Sequence, residues 1–195
     1  YTHEEDRKAA VKANVLKYKI PMFYCNAVGS QTEIVFDGNS LVFDKDANLC
    51  GKMPSFKEAL QAYELHEDGI VKGDCFISNT EVPDQELTPQ SLDERMNMPH
   101  VYAALIMGIR DYFSKMGFSK AILGSSGGID SAVTQALASA ALGAENVHAV
   151  LMPSEYSTSH SVSDAEQLSR NLGNRYDVLP IKNIYQSFLE TLEPH

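Results

Sequence analysis

The chain has 195 residues, a formal net charge of −10, 44% hydrophobic and 22% charged residues. The length suits one large domain or parts of two, and the composition suits a globular protein with a real core rather than a disordered one. The acidic balance argues against general nucleic-acid backbone binding, which needs clustered Lys and Arg, and no apolar run approaches the ~20 residues of a spanning helix, so neither nucleic acid nor membrane is expected as a partner.

The start, Tyr1 to Lys8, is charged, unlike a signal peptide, and lacks an initiating Met, which points to a piece of a longer protein. Cys25, Cys50 and Cys75 lie far apart with no CxxC pair, which disfavours a disulfide framework or zinc site and fits a reducing cytosol.

Residues 6–19 predict a helix with Ala9, Ala13 and Leu16 as its apolar stripe. The continuous apolar run from Ile20 to Cys25 reads as a buried strand. Glu33 to Phe36 and Ser40 to Phe43, around Asp37-Gly38-Asn39, read as a hairpin, in which Glu33, Asp37 and Ser40 are structural. Residues 44–48 read as a polar turn, and a last strand is expected within Gly69 to Ser78. From Asn79 to Pro99 the chain is acidic and proline-rich, which suggests a linker between a strand-rich domain, 1–78, and a second domain, 100–195.

The second domain opens with an amphipathic helix over 100–116, carrying Val101, Leu105, Ile109, Tyr112, Phe113 and Met116 and closed by Gly117. Strands at 121–124, 147–152 and 176–181 then alternate with helices at 131–142, 161–172 and 183–192. That alternation predicts an α/β fold with a parallel sheet and right-handed crossovers, with ligands at the carboxyl ends of the strands.

Between the first of these strands and its helix stands Gly124-Ser125-Ser126-Gly127-Gly128-Ile129-Asp130-Ser131. Small residues let a backbone pass close to a ligand, and the free N–H groups opening the helix favour an anion. The stretch is not a Walker A loop, since Ile129-Asp130 stand where Gly-Lys would be required. It also fits a GxSxG nucleophile elbow centred on Ser126, with Asp164 and His195 as formal partners, although too few residues follow to complete the usual hydrolase sheet. Asp130 is explained either by the helix dipole or as a carboxylate for Mg²⁺ held beside phosphate. The segment Ser154 to Ser161 is either a hydroxyl-rich loop ending in a helix cap or the frame of a base and ribose. His148 and His160 read as surface or packing residues.

Ser126-Gly127-Gly128-Ile129-Asp130-Ser131 resembles the SGGxDS pyrophosphate motif of the N-type ATP pyrophosphatases, which include NAD, GMP and asparagine synthetases and tRNA-thiolating enzymes. Met152-Pro153-Ser154-Glu155-Tyr156-Ser157, with Ser161, Asp164-Ala165 and Leu172-Gly173, resembles a stretch of the glutamine-dependent NAD synthetases. Residues Asn26 to Ser40 are similar to a stretch late in the nitrilase-like glutaminase domain of that family, with Ala27 where Gln is common; Thr158 likewise stands where Ser is common.

The resemblance implies the C-terminal part of a nitrilase-like α-β-β-α sandwich followed by the start of a Rossmann-like ATP pyrophosphatase domain, in an internal segment of a longer cytoplasmic, homo-oligomeric enzyme. It implies ATP, nicotinic acid adenine dinucleotide and glutamine as substrates, with Mg²⁺. The dinucleotide's carboxylate would attack the α-phosphate of ATP, releasing pyrophosphate, and ammonia would convert the acyl-adenylate to NAD. Gly124, Ser125, Ser126, Gly127, Gly128, Asp130 and Ser131 would hold ATP or its pyrophosphate, Asp130 the Mg²⁺, and Met152, Ser154 and Ser157 the adenine and ribose region. Arg7 is the candidate glutamine-binding residue. The glutaminase nucleophile would lie upstream of residue 1, Cys25 is not it, and this chain alone is expected to complete neither reaction. The competing readings are a tRNA-thiolating relative, a serine hydrolase built on Ser126, and a non-catalytic nucleotide-binding module.

Overall fold

The computed structural model describes residues 3–72 and 98–193. The expected linker up to residue 97, positions 73–78 of the last expected strand, Cys75 and His195 lie outside the described residues. The chain divides into two compact units, Tyr1–Gly108 and Ile109–His195. Among the described residues, no helix is long and apolar enough to cross a membrane.

The first unit begins with α1 (His3–Tyr18), whose first turn carries Glu4, Glu5 and Asp6 and whose last carries Lys17, as a helix dipole favours. Its buried residues are Val11 and Val15, four apart, whereas Leu16 is 45% exposed. The expected stripe through Ala9, Ala13 and Leu16 is therefore on the wrong face. Two β-branched residues with poor helix propensity turned out to be the core anchors, because burial outweighs propensity. They pack with Leu41, Phe43 and Ala47, and Met22, Tyr24 and Leu49 close around them. Complete burial of side chains of this size stabilises by about 1.5–3 kcal/mol each.

That core lies on a three-stranded antiparallel sheet ordered β1-β4-β5, from β1 (Met22–Tyr24), β4 (Leu41–Phe43) and β5 (Leu49–Lys52). β1 is an edge strand and Phe23 is exposed, so the apolar run there is one-sided and not the fully buried strand expected. The hairpin expected between 33–36 and 40–43 does not form. Instead β3 (Ile34–Asp37) pairs with β2 (Val28–Gln31), while β4 joins β1 and β5. The connecting Asp37-Gly38-Asn39 is held by other segments: Gly38 N–H donates to Ala27 at 2.9 Å and the Asp37 carbonyl accepts from Phe56 at 2.9 Å. The chain thereby passes from one sheet to another.

Residues 44–48 form the expected turn. One oxygen of buried Asp44 accepts from the Asp46 and Asn48 amides at 3.0 and 2.8 Å, and the other from the Asn48 side chain at 2.8 Å. Burial pushes the Asp44 carboxyl up, but these donors outweigh it and hold the group below its ordinary value of 3.8. A small hairpin, β6 (Glu64–Leu65) and β7 (Val71–Lys72), follows, β7 falling inside the last strand expected.

The division between units falls inside α2 (Met98–Met116), which carries Pro99 in its first turn, where a missing N–H costs nothing. Leu105, Tyr112 and Met116 are about half exposed, and the buried residue is Met107, outside the expected stripe. The helix is apolar on more than one side, so spacing alone did not choose the covered face. Gly117, at φ 73°, closes it as expected, with Phe118 N–H donating to the Phe113 carbonyl at 2.8 Å.

The second unit then alternates as predicted: β8 (Ala121–Gly124), α3 (Ile129–Leu142), β9 (Val147–Leu151), α4 (Ser159–Leu172), β10 (Arg175–Val178) and α5 (Lys182–Leu192). The three strands are parallel in the order β10-β9-β8, with Gly124 beside Val150 and Val150 beside Asp177. Ala149, Leu151 and Ala165 form the core between sheet and helix, with Val162 and Tyr176 against them. Alanines on both sides bring α4 close to β9.

Two measurements check this packing. Gly51→Ala in β5 would place a Cβ 1.8 Å from the Tyr63 hydroxyl, so the ring must move; thermal denaturation should show a loss of about 1–3 kcal/mol, and an unchanged melting curve would refute the contact. Asp44→Ala should cost about 1 kcal/mol or more at neutral pH by removing the acceptor of three donors that hold the turn. Because the folded carboxyl titrates below its ordinary value, its contribution is present above pH 3.8 and disappears as pH falls through the folded pKa; acid denaturation of Asp44→Ala should lack that component.

Candidate functional site

A cleft of about 300 Å³ opens at the carboxyl ends of β8 and β9. Its walls come from Gly124, Ser125 and Ser126 after β8, from Met152, Pro153 and Ser157 after β9, and from Ser161 and Val162 in the first turns of α4. The two segments singled out in the sequence thus meet in one place. No residue of the lining carries a formal charge.

Ser125 anchors the loop to the sheet. Its amide donates to the Val150 carbonyl at 2.9 Å, and its hydroxyl donates to Gln135 Oε1 at 3.0 Å, inside the unit. Both polar groups are directed inward, so the Ser125 side chain ties the loop to α3. Ser126 and Ser131 tie the loop to the start of α3. Ser131 Oγ donates to the Gly128 carbonyl at 2.9 Å and accepts from the Ser126 amide at 3.2 Å. The Ser126 hydroxyl, 3.0 Å from Ser131 Oγ, therefore donates to it, and accepts from Gly128 N–H at 3.2 Å. Its proton is engaged with a second serine, an arrangement different from that of an activated nucleophile, which hands its proton to a base.

Gly127 has a φ of 81°, and a Cβ built on it would stand 2.1 Å from the Ser161 carbonyl. Only glycine fits there, on both counts. Gly128 is the N-cap of α3 and supplies no side chain to cap it, so the helix's leading N–H groups remain available to an anion. Asp130 sits exposed in the first turn. Among the described residues no group of three or more His, Cys, Asp or Glu could hold a metal. A single carboxylate at this position fits an ion such as Mg²⁺ that takes most of its ligands from phosphate oxygens and water.

On the opposite wall Met152 is half exposed, and its Cε would lie 3.2 Å from a Cβ on Gly124. Ser154 and Ser157 brace a turn: the Ser154 amide donates to Ser157 Oγ at 3.0 Å, and Ser154 Oγ accepts from the Tyr156 amide at 3.2 Å. Thr158 caps α4 by accepting from the Ser161 amide at 3.2 Å, so the cap stands earlier than the serine at 161. Tyr156 meets Tyr185 edge to face at 5.9 Å, and the Tyr185 hydroxyl, with Glu155, pushes its phenol up to about 12. His148 Nε2 lies 2.8 Å from Asp177 on the neighbouring strand, a pairing across the sheet; His160 is exposed.

In the first unit, Arg7 does not present a vacant guanidinium. Nη2 donates to Asp37 at 2.8 Å, Nη1 to the Gly38 carbonyl at 3.2 Å, and the group lies 6.0 Å from the centre of the Tyr24 ring. Asn26 donates to the same two acceptors, at 3.0 and 2.7 Å. The carboxylate gripped here is the chain's own. Exposed Cys25 borders a second cleft of about 170 Å³ with Asn26, Asn39, Ser40, Lys57 and Glu58.

The sequence reading missed Gln135, Ser169 and Asn174, which lie buried behind the loop. The available signal was a lone carboxamide in the apolar run Ala132-Val133-Thr134-Gln135-Ala136-Leu137-Ala138.

Residues 101–195 match the family model described as NAD synthase. The chain is 37% identical over 190 residues to the glutamine-dependent NAD(+) synthetase of Synechocystis sp., covering 96% of this chain and 31% of the relative. It is 34% identical over 205 residues to that of Thermotoga maritima, covering 96% and 36%. The glutamine-dependent NAD+ synthetase of Acinetobacter baumannii, solved in complex with ADP, superposes with a TM-score of 0.79 at 33% identity, covering 98% of this chain and 34% of that one. A synthetase structure from Cytophaga hutchinsonii, at 14% identity and a TM-score of 0.73, shares the fold. The chain spans about a third of the length of the curated relatives it matches. Over residues 101–195 the chain is thus similar to the NAD synthase family.

Proposed function

We propose that the full-length protein amidates nicotinic acid adenine dinucleotide to NAD, using ATP for activation and ammonia released from glutamine. In this reading residues 1–78 end a nitrilase-like glutaminase domain, 79–99 link the domains, and 100–195 begin the synthetase domain of a cytoplasmic homo-oligomer. The observation that carries it is the uncapped N-terminus of α3 beside a cleft built from both synthetase-like motifs.

The reaction asks mainly for positioning and charge stabilisation. ATP's leaving pyrophosphate would lie along the loop, where the α3 N–H groups and the glycine backbone approach it without steric cost. Ser126 and Ser131 keep the loop in shape and can turn their hydroxyls to phosphate oxygens when these replace the internal bonds. Ser125 serves from behind by holding Ser126 in register with β9. Asp130 would hold Mg²⁺, which when bound neutralises phosphate charge as pyrophosphate departs. Met152 offers an apolar surface to the adenine, with Ser154 and Ser157 framing the ribose. Arg7 would reach a glutamine carboxylate only by releasing Asp37, so we assign it to shaping the glutaminase half.

Calorimetric titration of the chain with ATP tests the site. Asp130→Asn should weaken binding about tenfold or more with Mg²⁺ present and little without it; equal effects in both would remove the metal role. Gly127→Ala should abolish binding by forcing the loop from Ser161, and retained affinity would contradict the loop's role. For the whole protein, glutamine, ATP and nicotinic acid adenine dinucleotide should yield AMP and NAD together; formation of neither sinks the proposal.

A further inference from the structure

Gln135 is wholly buried in α3, with no access to the cleft, and yet all of its side-chain hydrogen bonds bear on how the loop is held. Its Oε1 accepts from Ser125 Oγ at 3.0 Å, on the loop itself. Its Nε2 donates to Ser169 Oγ in α4 and to Asn174 Oδ1 just before β10, both at 3.0 Å. Those two partners are fixed in turn: Ser169 Oγ donates to the Ala165 carbonyl at 2.9 Å, and Asn174 Nδ2 to the Ala144 carbonyl at 2.9 Å. Ser139 Oγ, 3.1 Å from Asn174 Oδ1, closes the network back onto α3.

A carboxamide with an acceptor at one end and a two-hydrogen donor at the other suits this place, since the loop side offers a hydroxyl donor and the α4 side offers oxygen acceptors. Leucine or methionine of similar volume would strand the Ser125 hydroxyl and take one donor each from Ser169 Oγ and Asn174 Oδ1. We infer that Gln135 is the positioning residue of the loop: through Ser125 it fixes the loop after β8 to the C-terminal part of α4 and the entry to β10, and so sets the register in which the α3 N-terminus meets its anion. Only the functional consequence rests on reading the loop as a phosphate cradle; the mechanical role does not.

Residue-resolved amide hydrogen exchange on the chain tests it. The Ser125 amide, bonded to Val150, reports the loop, and the Ala149 amide at the centre of β9 reports the whole unit. In Gln135→Leu, exchange at Ser125 should rise about tenfold or more relative to Ala149, the effect of losing about one net hydrogen bond locally. Ser125→Ala, which removes only the loop end of the bond and keeps the fold if Gln135→Leu does not, should give the same selective rise. Ser169→Ala, which removes one of the two anchors behind Gln135 while Asn174 keeps the other, should give a clearly smaller selective rise at Ser125. A parallel rise at Ser125 and Ala149, no rise in Ser125→Ala, or an equal rise in Ser169→Ala overturns the inference, since each describes ordinary packing. Titration with Mg·ATP should show affinity reduced about tenfold in Gln135→Leu at temperatures where the variant stays folded, and undiminished affinity with a loosened loop overturns the link to binding. If the wild-type chain binds no Mg·ATP, the phosphate reading fails while the exchange comparison still decides the role of Gln135.

Discussion

The approach of Gly127 to the Ser161 carbonyl is the constraint on which the second unit's site depends. Thirty-odd residues separate the two in sequence, yet the fold brings them so close that no Cβ fits between. The contact joins the loop after β8 to the first turns of α4, and it is possible because β8 and β9 run parallel and adjacent, ending at the same edge. The cleft follows from that junction. Beside it α3 starts at Gly128 with no capping side chain, which leaves its first N–H groups open.

Behind the junction the unit uses polar groups where a simple α/β core would use apolar ones. Ser125, Gln135, Ser169 and Asn174 are all buried and all hydrogen-bonded to one another, which offsets the cost of desolvating them. Apolar packing by Ala149, Leu151 and Ala165 supplies stability, but apolar contacts tolerate sliding. Directional bonds do not, and they fix the register of the loop against the sheet. The first unit has a comparable chain: Arg7 to Asp37, Asp37 to Asn39, Asn39 to Ser55 and Ser55 to His100 tie α1, the sheet crossing and the start of α2 within that unit.

The alternation of β8 to α5 was legible in the sequence because each signal there is local: apolar runs of strand length, glycines at helix ends, and helices whose lengths suit short crossovers. The motifs were legible for the same reason. What was not legible depended on partners far along the chain. Val11 and Val15 could be told from Ala9, Ala13 and Leu16 only by the sheet that covers them. The expected hairpin at 33–43 failed because Asp37-Gly38-Asn39 is bound by Ala27, Arg7, Asn26 and Phe56, none of which a turn signal contains. Ser125 looked like its neighbour Ser126, and only the direction of its hydroxyl, toward Gln135, separates a support from a surface donor.

The uncharged lining of the main cleft has a consequence for how a ligand is found. A lysine or arginine casts a field over roughly a Debye length, ~8 Å at physiological salt, and draws anions in. Backbone dipoles at a helix start act within about one turn. On a chain with net charge −10, a polyphosphate meets repulsion at long range and attraction only once it has arrived. An anion that entered this cleft would be selected by shape and hydrogen bonding at contact, against the long-range repulsion of the chain's own charge.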